Sequence, residues 1–510
     1  MASMIIKGSA PATLPEYNLF KLPDTQTAAV RRKIVIVYPV APPSMNSVPQ
    51  FHVPGAGKDY IDTERSTMHL KLKFVKVRKG VKRRSTAPQT SRRKRAVTPP
   101  KQESGSESES SESETDPPTT EGGAANTSPP ADVVLEEEIE DGGSPSDLIF
   151  PINCIHQTAW RQIDVEVNNV NLIKANNLNP YEVMFKTLLR YGSDAKATHL
   201  TGMGYYTEEA GMLDEIGMDG RLSVIKRWWL YSHAKVVDLE GPLMLDALQL
   251  NGRPLINGVN LTLKFYPQNK AFFTMCKMDE DEYTVEIVDI YLKICKIEVS
   301  DAIILAHSEA LKESNAVYPF TRCETKAFTY SKGLSNITID DLFHGRVPSR
   351  VVFGMVSADA FNGNVRKNPF NFKHYNVSDI ALTIDGNSVP GKALQLGGWP
   401  DGGGPDSDTN EGRQYIDAYL NLSEVSGTMG QNAGNAITIE QFAQGYSLFA
   451  FNLDPQLKPG NYMNLVAQGN VRLEIRFKKP LPETMVAVIY SERTSAFEID
   501  VARNVIAKDT

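Results

Sequence analysis

Short runs that either alternate apolar with polar residues or are fully apolar recur along most of this chain. They include KIVIVYPV (33–40), LKLKFVKV (70–77), WRQIDVEV (160–167), VNLTLKFY (259–266), YTVEIVDIYLKI (283–294), RVVFGMV (350–356), IALTIDG (380–386), YSLFAFNL (446–453), VRLEIRF (471–477) and TMVAVIY (484–490). Successive side chains of a strand point to opposite faces, so period-two runs rich in β-branched and aromatic residues, bounded by Gly, Pro and Asn, predict antiparallel sheets with one buried face. Helical spacing is scarce. It predicts one helix over Tyr181 to Tyr191, with Asn179 as N-cap, Pro180 in the first turn and Gly192 beyond the end. A second runs over Asp301 to Lys312, capped by Ser300 or Asp301. The expected class is all-β with a few short helices.

Two patterns recur in the same order. NCIHQTAWRQIDVEVNN opens with Asn153 and His156 and runs into Ile163, Val165 and Val167; NFKHYNVSDIALTIDGN opens with Asn371 and His374 and runs into Ile380, Leu382 and Ile384. Farther on, Val259, Leu261, Leu263 and Phe265 match Val471, Leu473, Ile475 and Phe477. The copies lie roughly 200 residues apart, which predicts two tandem versions of one β unit. His156 and His374 occupy equivalent places, which argues for a shared packing or hydrogen-bonding role.

One stretch breaks the pattern. From Lys71 to Lys101 every charged residue is basic, and from Glu103 to Asp147 every one is acidic. Between Lys79 and Ser146 the chain is nearly free of aromatics and rich in Ser, Pro, Gly and charge, too little apolar surface to offset the entropy of ordering, so a disordered insert is expected. In the second copy, strand-like sequence from Tyr318 to Pro369 precedes the Asn-x-x-His element; in the first, the matching strands precede the insert. The insert therefore interrupts the first β domain and does not link the two. Loop-closure entropy grows only logarithmically with length, so such an insertion is tolerated at a strand junction. Its basic clusters, Lys79, Lys82, Arg83 and Arg84, then Arg92, Arg93, Lys94 and Arg95, fit a bipartite nuclear import signal, a polyanion-binding patch or a solvated tail. Ser104, Ser106, Ser111 and Ser113 each have Glu or Asp three residues later, a pattern for acid-directed phosphorylation.

The net charge of −7 and pI near 5.8 exclude a generally basic nucleic-acid binder, so any basic surface is local. Cys154, Cys276, Cys295 and Cys323 form no C-x-x-C pair and read as reduced thiols. No apolar run reaches membrane-spanning length, and the N-terminus does not read as a secretion signal. HVPGAGKDY resembles the end of a phosphate-binding loop but has His52 and Asp59 where that loop needs Gly and Ser or Thr, so a tight turn is expected. Asp406, Asp408 and Asn410 have calcium-loop spacing, yet Gly412 falls one position late and Asp417 would be the last ligand; a flexible loop is the better reading. KRWWLYSH (226–233) interleaves cations with aromatics and reads as an amphipathic strand or interface edge. No histidine pair at metal spacing or Gly-x-Ser-x-Gly elbow occurs, so neither an enzyme nor a cofactor is expected.

NPFNFKHYNVSDIALTIDGNSVPGKAL, GYSLFAFNLDP and NLVAQGNVRLEIRFKKPLPETMVAVIYSE resemble the double jelly-roll major capsid proteins of Polinton/Maverick and adintovirus elements. LPEYNLFKLPDTQTA, VPGAGKDYID and NNLNPYEVMFKTLLRYG extend the resemblance over nearly all the chain except the insert. It implies two tandem eight-stranded jelly-roll sandwiches per chain, in homotrimers forming pseudohexagonal capsomers of an icosahedral shell around double-stranded DNA. The expected partition is an N-terminal arm (1–15), a first roll (16–300) interrupted by 79–146, a helical connector (301–316), a second roll (317–503) and a tail (504–510). Implied partners are other copies of the chain and a minor or vertex capsid protein. The insert would reach packaged DNA if it faces inward, host factors if it faces outward, and an import receptor if assembly is nuclear. A free oligomeric β-sandwich protein recognising glycan or nucleic acid is the alternative.

Overall fold

Alternate residues of most of these strands are buried, as a sheet packed on one face requires. In the computed structural model, which describes residues 25–78, 135–137, 148–173, 176–277, 283–400, 412–454 and 467–508, Met68, Leu70, Leu72 and Phe74 are buried along one strand, and Leu261, Leu263 and Phe265 along another. Val471, Leu473 and Ile475 repeat the pattern in the second half.

Eight strands build each half. In the first they are β1 (Ala29–Val37), β2 (Gln50–Val53), β3 (Asp59–Arg78), β4 (Trp160–Val167), β5 (Val170–Asn171), β6 (Val237–Pro242), β7 (Leu261–Pro267) and β8 (Tyr283–Val299). In the second they are β9 (Ala316–Tyr330), β10 (Asn336–Ile339), β11 (Arg350–Ser357), β12 (Val377–Ile384), β13 (Asn387–Gln395), β14 (Leu448–Asn452), β15 (Val471–Phe477) and β16 (Met485–Ile499). The first half pairs them as β1-β8-β3-β6 and β2-β7-β4-β5; the second as β9-β16-β11-β14 and β10-β15-β12-β13. Adding eight to each label turns one half into the other, and these are the two sheets of a jelly roll, the β1 and β9 sheets each carrying a fifth short strand besides. The chain is a double jelly roll. The recurring motifs fall where duplication demands: the runs from Ile163 and Ile380 are β4 and β12, and those from Leu261 and Val471 are β7 and β15.

The charged segment enters after β3 and leaves before β4; the matching connection in the second roll, 358–376, holds only the short helix Ala358–Asn362. Of the segment predicted to be disordered only Leu135–Glu137 is described, as a short strand; the basic clusters, the four serines, the N-terminal arm, and Asp406, Asp408 and Asn410 lie outside the described residues.

Helices occupy the connections. Among them are α1 (Asn179–Arg190), α2 (Leu222–Tyr231), α3 (Asp301–Glu313, between β8 and β9) and α4 (Ile416–Val425). Two readings change. Asn179 is the first helical residue of α1 and Leu178 stands at the N-cap; the Asn179 amide donates instead to Gln157 O at 3.1 Å and Trp160 O at 2.9 Å, fastening the helix to β4. KRWWLYSH is largely α2, not a strand. Ser223, Val224, Arg227 and Tyr231 are its buried residues, a helical spacing concealed in sequence because one inward residue is an arginine. At the C-terminus Val505–Lys508 pairs with β16, so the expected tail contains a strand.

HVPGAGKDY is a turn between β2 and β3. A Cβ on Gly55 would sit 2.0 Å from Val259 O, so this glycine serves close backbone approach to the start of β7. Gly55→Ala is expected to destabilise the first roll. Leu263→Ala and Leu473→Ala remove fully buried side chains that pair with Val165 of β4 and Leu382 of β12, and each is expected to cost about 2–5 kcal/mol in urea unfolding.

Candidate functional site

The two rolls meet along a joint in which every major contact comes from a connection of the first roll. α1 carries Tyr181 and Phe185 into the second roll. Tyr181 stacks on Phe361 with ring centroids 5.5 Å apart and meets Phe370 edge-on at 5.8 Å; Phe185 stacks on Tyr490 at 5.4 Å. Such pairs add roughly 0.5–1.5 kcal/mol each beyond area burial.

At the C-terminal end of α1 the contact becomes ionic. Arg190 Nη2 lies 2.7 Å from Glu492 Oε1 on β16, Arg350 Nη1 is 3.3 Å from Glu492 Oε2, and the Tyr490 hydroxyl donates to Glu492 Oε1 at 2.7 Å. Burial alone would raise the Glu492 carboxyl, but the two guanidiniums and these hydrogen bonds outweigh it and hold the group down at about 2.

The first roll also closes the free backbone edge of β9, whose other edge pairs with β16 from Ala316 to Tyr330. Arg253 donates to Val317 O at 2.9 Å and Asn251 to Pro319 O at 3.5 Å, the Cys323 N–H donates to Asp246 Oδ2 at 3.0 Å, and Asn176 donates to Thr325 O at 3.4 Å. An unpaired strand edge is a template for pairing with another chain, and here side chains occupy it.

Farther along, the connections between β5 and β6 and between β13 and β14 are tied. Glu208, almost wholly buried, receives Arg221, Arg227, Ser223 Oγ and Asn153 Nδ2 on its carboxylate, while its backbone carbonyl accepts from Gln441 Nε2 at 2.8 Å. Buried Lys196 donates to Leu188 O and to Asn435 O. With no carboxylate in that set, burial lowers its ammonium to about 7, the Cys154 thiol acting weakly the other way.

The repeated Asn-x-x-His elements are partly alike. Asn153 donates to Glu208 Oε1 at 3.1 Å and Asn371 to Asp214 Oδ2 at 2.7 Å, so both asparagines reach carboxylates of the first roll's β5–β6 connection. The histidines diverge. His156 is fully buried with Nε2 2.8 Å from Met68 O, and burial pushes it down to about 4 against that hydrogen bond. His374 stacks on Trp399 at 4.7 Å and its Nδ1 accepts from Asn376 N.

Cys154, Cys276 and Cys295 are buried and Cys323 half-buried, all as free thiols; burial pushes Cys154 and Cys323 up to about 12. Asp417 lies in the first turn of α4. Among the described residues no group of three or more His, Cys, Asp or Glu could hold a metal, and no helix is long and apolar enough to cross a membrane. A cavity of about 680 Å³ lies beside β9, where Lys326 donates to Leu342 O and Asp340 pairs with Arg472. What the joint offers chemically is cohesion: charges neutralised in place and strand edges closed. Sequence reading missed its residues. Glu492 and Arg493, which interrupt the apolar run of β16, were the available signal.

No family model matches the chain. An uncharacterized protein of Caenorhabditis elegans is 27% identical over 361 residues, 70% of this chain and 81% of that one. A chain of the Sputnik virophage superposes with a TM-score of 0.54 at 8% identity, covering 99% of this chain and 94% of that one. A chain of the PBCV-1 virus capsid superposes with a TM-score of 0.50 at 7% identity, covering 96% of this chain and all of that one. The alignments take in both rolls, so the neighbours share the tandem fold.

Arg190→Ala strands Glu492 beside a single guanidinium and is expected to cost about 3–5 kcal/mol in urea unfolding. Acid should weaken the fold in two windows. Unfolded His156 takes up a proton near 6.5 and folded His156 only near 4, so its contribution, full above 6.5, is lost as pH falls to 4. The Glu492 contribution, full above 4.5, is lost as pH falls toward 2. Thermal melts across both windows check this, with His156→Gln flattening the upper one.

Proposed function

We propose that this protein is the major structural subunit of an icosahedral capsid, a homotrimer whose six jelly rolls give each capsomer a pseudohexagonal outline around a double-stranded DNA genome. The observation that carries the reading is the repeated strand order, aligned nearly end to end with chains of the Sputnik virophage and of the PBCV-1 virus capsid. A likeness at 7–8% identity speaks for the fold, and the capsid role comes to this chain by that route and by the sequence resemblance. The closer assignment, to the Polinton/Maverick and adintovirus group, rests on the resemblance alone.

The physical layout supports the reading. Each roll covers its inner faces with its own sheets, leaving flanks and connections for lateral contacts, and the joint between rolls is cohesive instead of cleft-like. We read the protein as non-enzymatic on the same grounds. Its further partners would be a minor or vertex capsid protein and, through Lys79, Lys82, Arg83, Arg84 and Arg92 to Arg95, either packaged DNA or an import receptor for assembly in the host nucleus. Phosphorylation at Ser104, Ser106, Ser111 and Ser113 would add charge to the acidic half and strengthen its competition with DNA for the basic half.

The test is light scattering after size-exclusion chromatography, followed by negative-stain microscopy of the same fractions. The expected result is a three-chain particle with a hexagonal outline, or closed shells. A persistent monomer at high concentration across salt and pH would overturn the capsid reading and favour a free β-sandwich binding protein.

A further inference from the structure

The duplication supplies an internal comparison for the free edge of each roll. β1 stands in the first roll where β9 stands in the second: Ala29 lies opposite Val299 and Ala316 opposite Ile499, Ile34 opposite Cys295 and Phe320 opposite Ser495, Ile36 opposite Lys293 and Arg322 opposite Arg493. The two strands fare differently. Phe320 and Arg322 are 2% and 7% exposed, whereas Ile34 and Ile36 are 48% and 51% exposed and continue into Tyr38 at 62% and Val40 at 74%. β9 has its outer backbone edge closed by Arg253, Asn251, Asp246 and Asn176 of the first roll. Among the described residues no hydrogen bond reaches the outer backbone edge of β1 from Arg31 to Val37, and the ion pairs of Arg31 with Glu298 and Lys33 with Asp59 hold side chains only.

We infer that the bare edge and apolar stripe of β1 receive the second roll of another copy of this chain, which docks there as the first roll docks on β9 within the chain. The inference rests on the capsid reading and names the surface through which copies meet. The joint inside the chain is heterologous, since connections of one roll cover a strand edge of the other. Because the rolls share one strand order, each copy carries at β1 the strand edge equivalent to the one covered at β9, and in its second roll the strand order of the roll that does the covering. Heterologous contacts of this kind propagate around a ring and end when the ring closes. A stripe of Ile34, Ile36, Tyr38 and Val40 beside an unpaired strand edge is what a stable contact buries and what a free monomer ordinarily blunts.

The experiment compares the full chain with the double variant Ile34→Asp/Ile36→Asp. Light scattering across a dilution series reads association, and circular dichroism and thermal melting read folding. The parent chain is expected to assemble, and the double variant to keep its spectrum and melting temperature while association weakens by at least about tenfold. Leu305→Asp, which puts a negative charge on an exposed site of α3, outside β1, is expected to leave assembly unchanged. Hydrogen exchange supplies a readout independent of the variants: amides in Arg31 to Val37 should gain protection on assembly.

Equal assembly of parent and double variant would overturn the inference while leaving the capsid reading intact. So would a loss as large in Leu305→Asp, or full protection of β1 amides already in dilute monomer, which would mean that residues before Thr25 occupy the edge. A parent chain that never associates would remove the capsid reading, and the inference with it.

Discussion

A four-stranded sheet has two raw edges, and the architecture turns on how one of them is closed. β9 has a partner along one side only, and the first roll supplies the other: a guanidinium and two amides donate to three of its carbonyls, and a carboxylate accepts from the Cys323 N–H. Polar groups at a crowded joint cost free energy unless paired, so two rolls cannot simply be pressed together. α1 makes the approach stable by placing aromatic rings against Phe361 and Tyr490 before ending in Arg190, whose charge is matched by Glu492. The same helix thus brings apolar burial and its ionic termination to the joint.

That arrangement explains why the fold was legible in sequence and the joint was not. Alternating runs located β1, β3, β4, β7, β8, β12 and β15, and fully apolar runs β11, β14 and β16, because burial on one face or on both leaves a trace in nearby residues. The duplication was legible because β4 and β12, and β7 and β15, retained the trace in the same order. Strands too short to carry a period, such as the two-residue β5, left no such mark. α2 was misread because its inward face includes Arg227, whose partner Glu208 lies nineteen residues earlier and is itself fully buried. Arg190 and Glu492 are 302 residues apart, a pairing no local pattern encodes.

Duplication also shows how equivalent positions acquire different work. Asn153 and Asn371 both reach carboxylates of the same connection, so that contact serves each roll. His156 and His374 part company because of what surrounds them. The first is sealed under β3 and keeps one hydrogen bond to Met68 O in a site that disfavours the charged ring, whereas the second lies half-exposed on Trp399, where a flat stacking partner suffices. Equivalent backbone geometry fixes where a side chain starts, and the packing of the connections decides what it does.

The same reasoning bears on why a long charged segment can interrupt the first roll. A loop perturbs a fold chiefly through the ends it joins, since the entropy of closing it rises only slowly with length. Here both ends are held independently. β3 is paired along its length with β8, and His156, just before β4, reaches back to Met68 O in the middle of β3. Downstream of the segment, Ile149–Pro151 pairs with Thr274–Cys276, and Pro151 O accepts from the buried guanidinium of Arg227 on α2. Because these contacts lie on either side of it, the length and charge of the insert can answer to function, while α2 and the Glu208 cluster remain committed to holding the junction from which it departs.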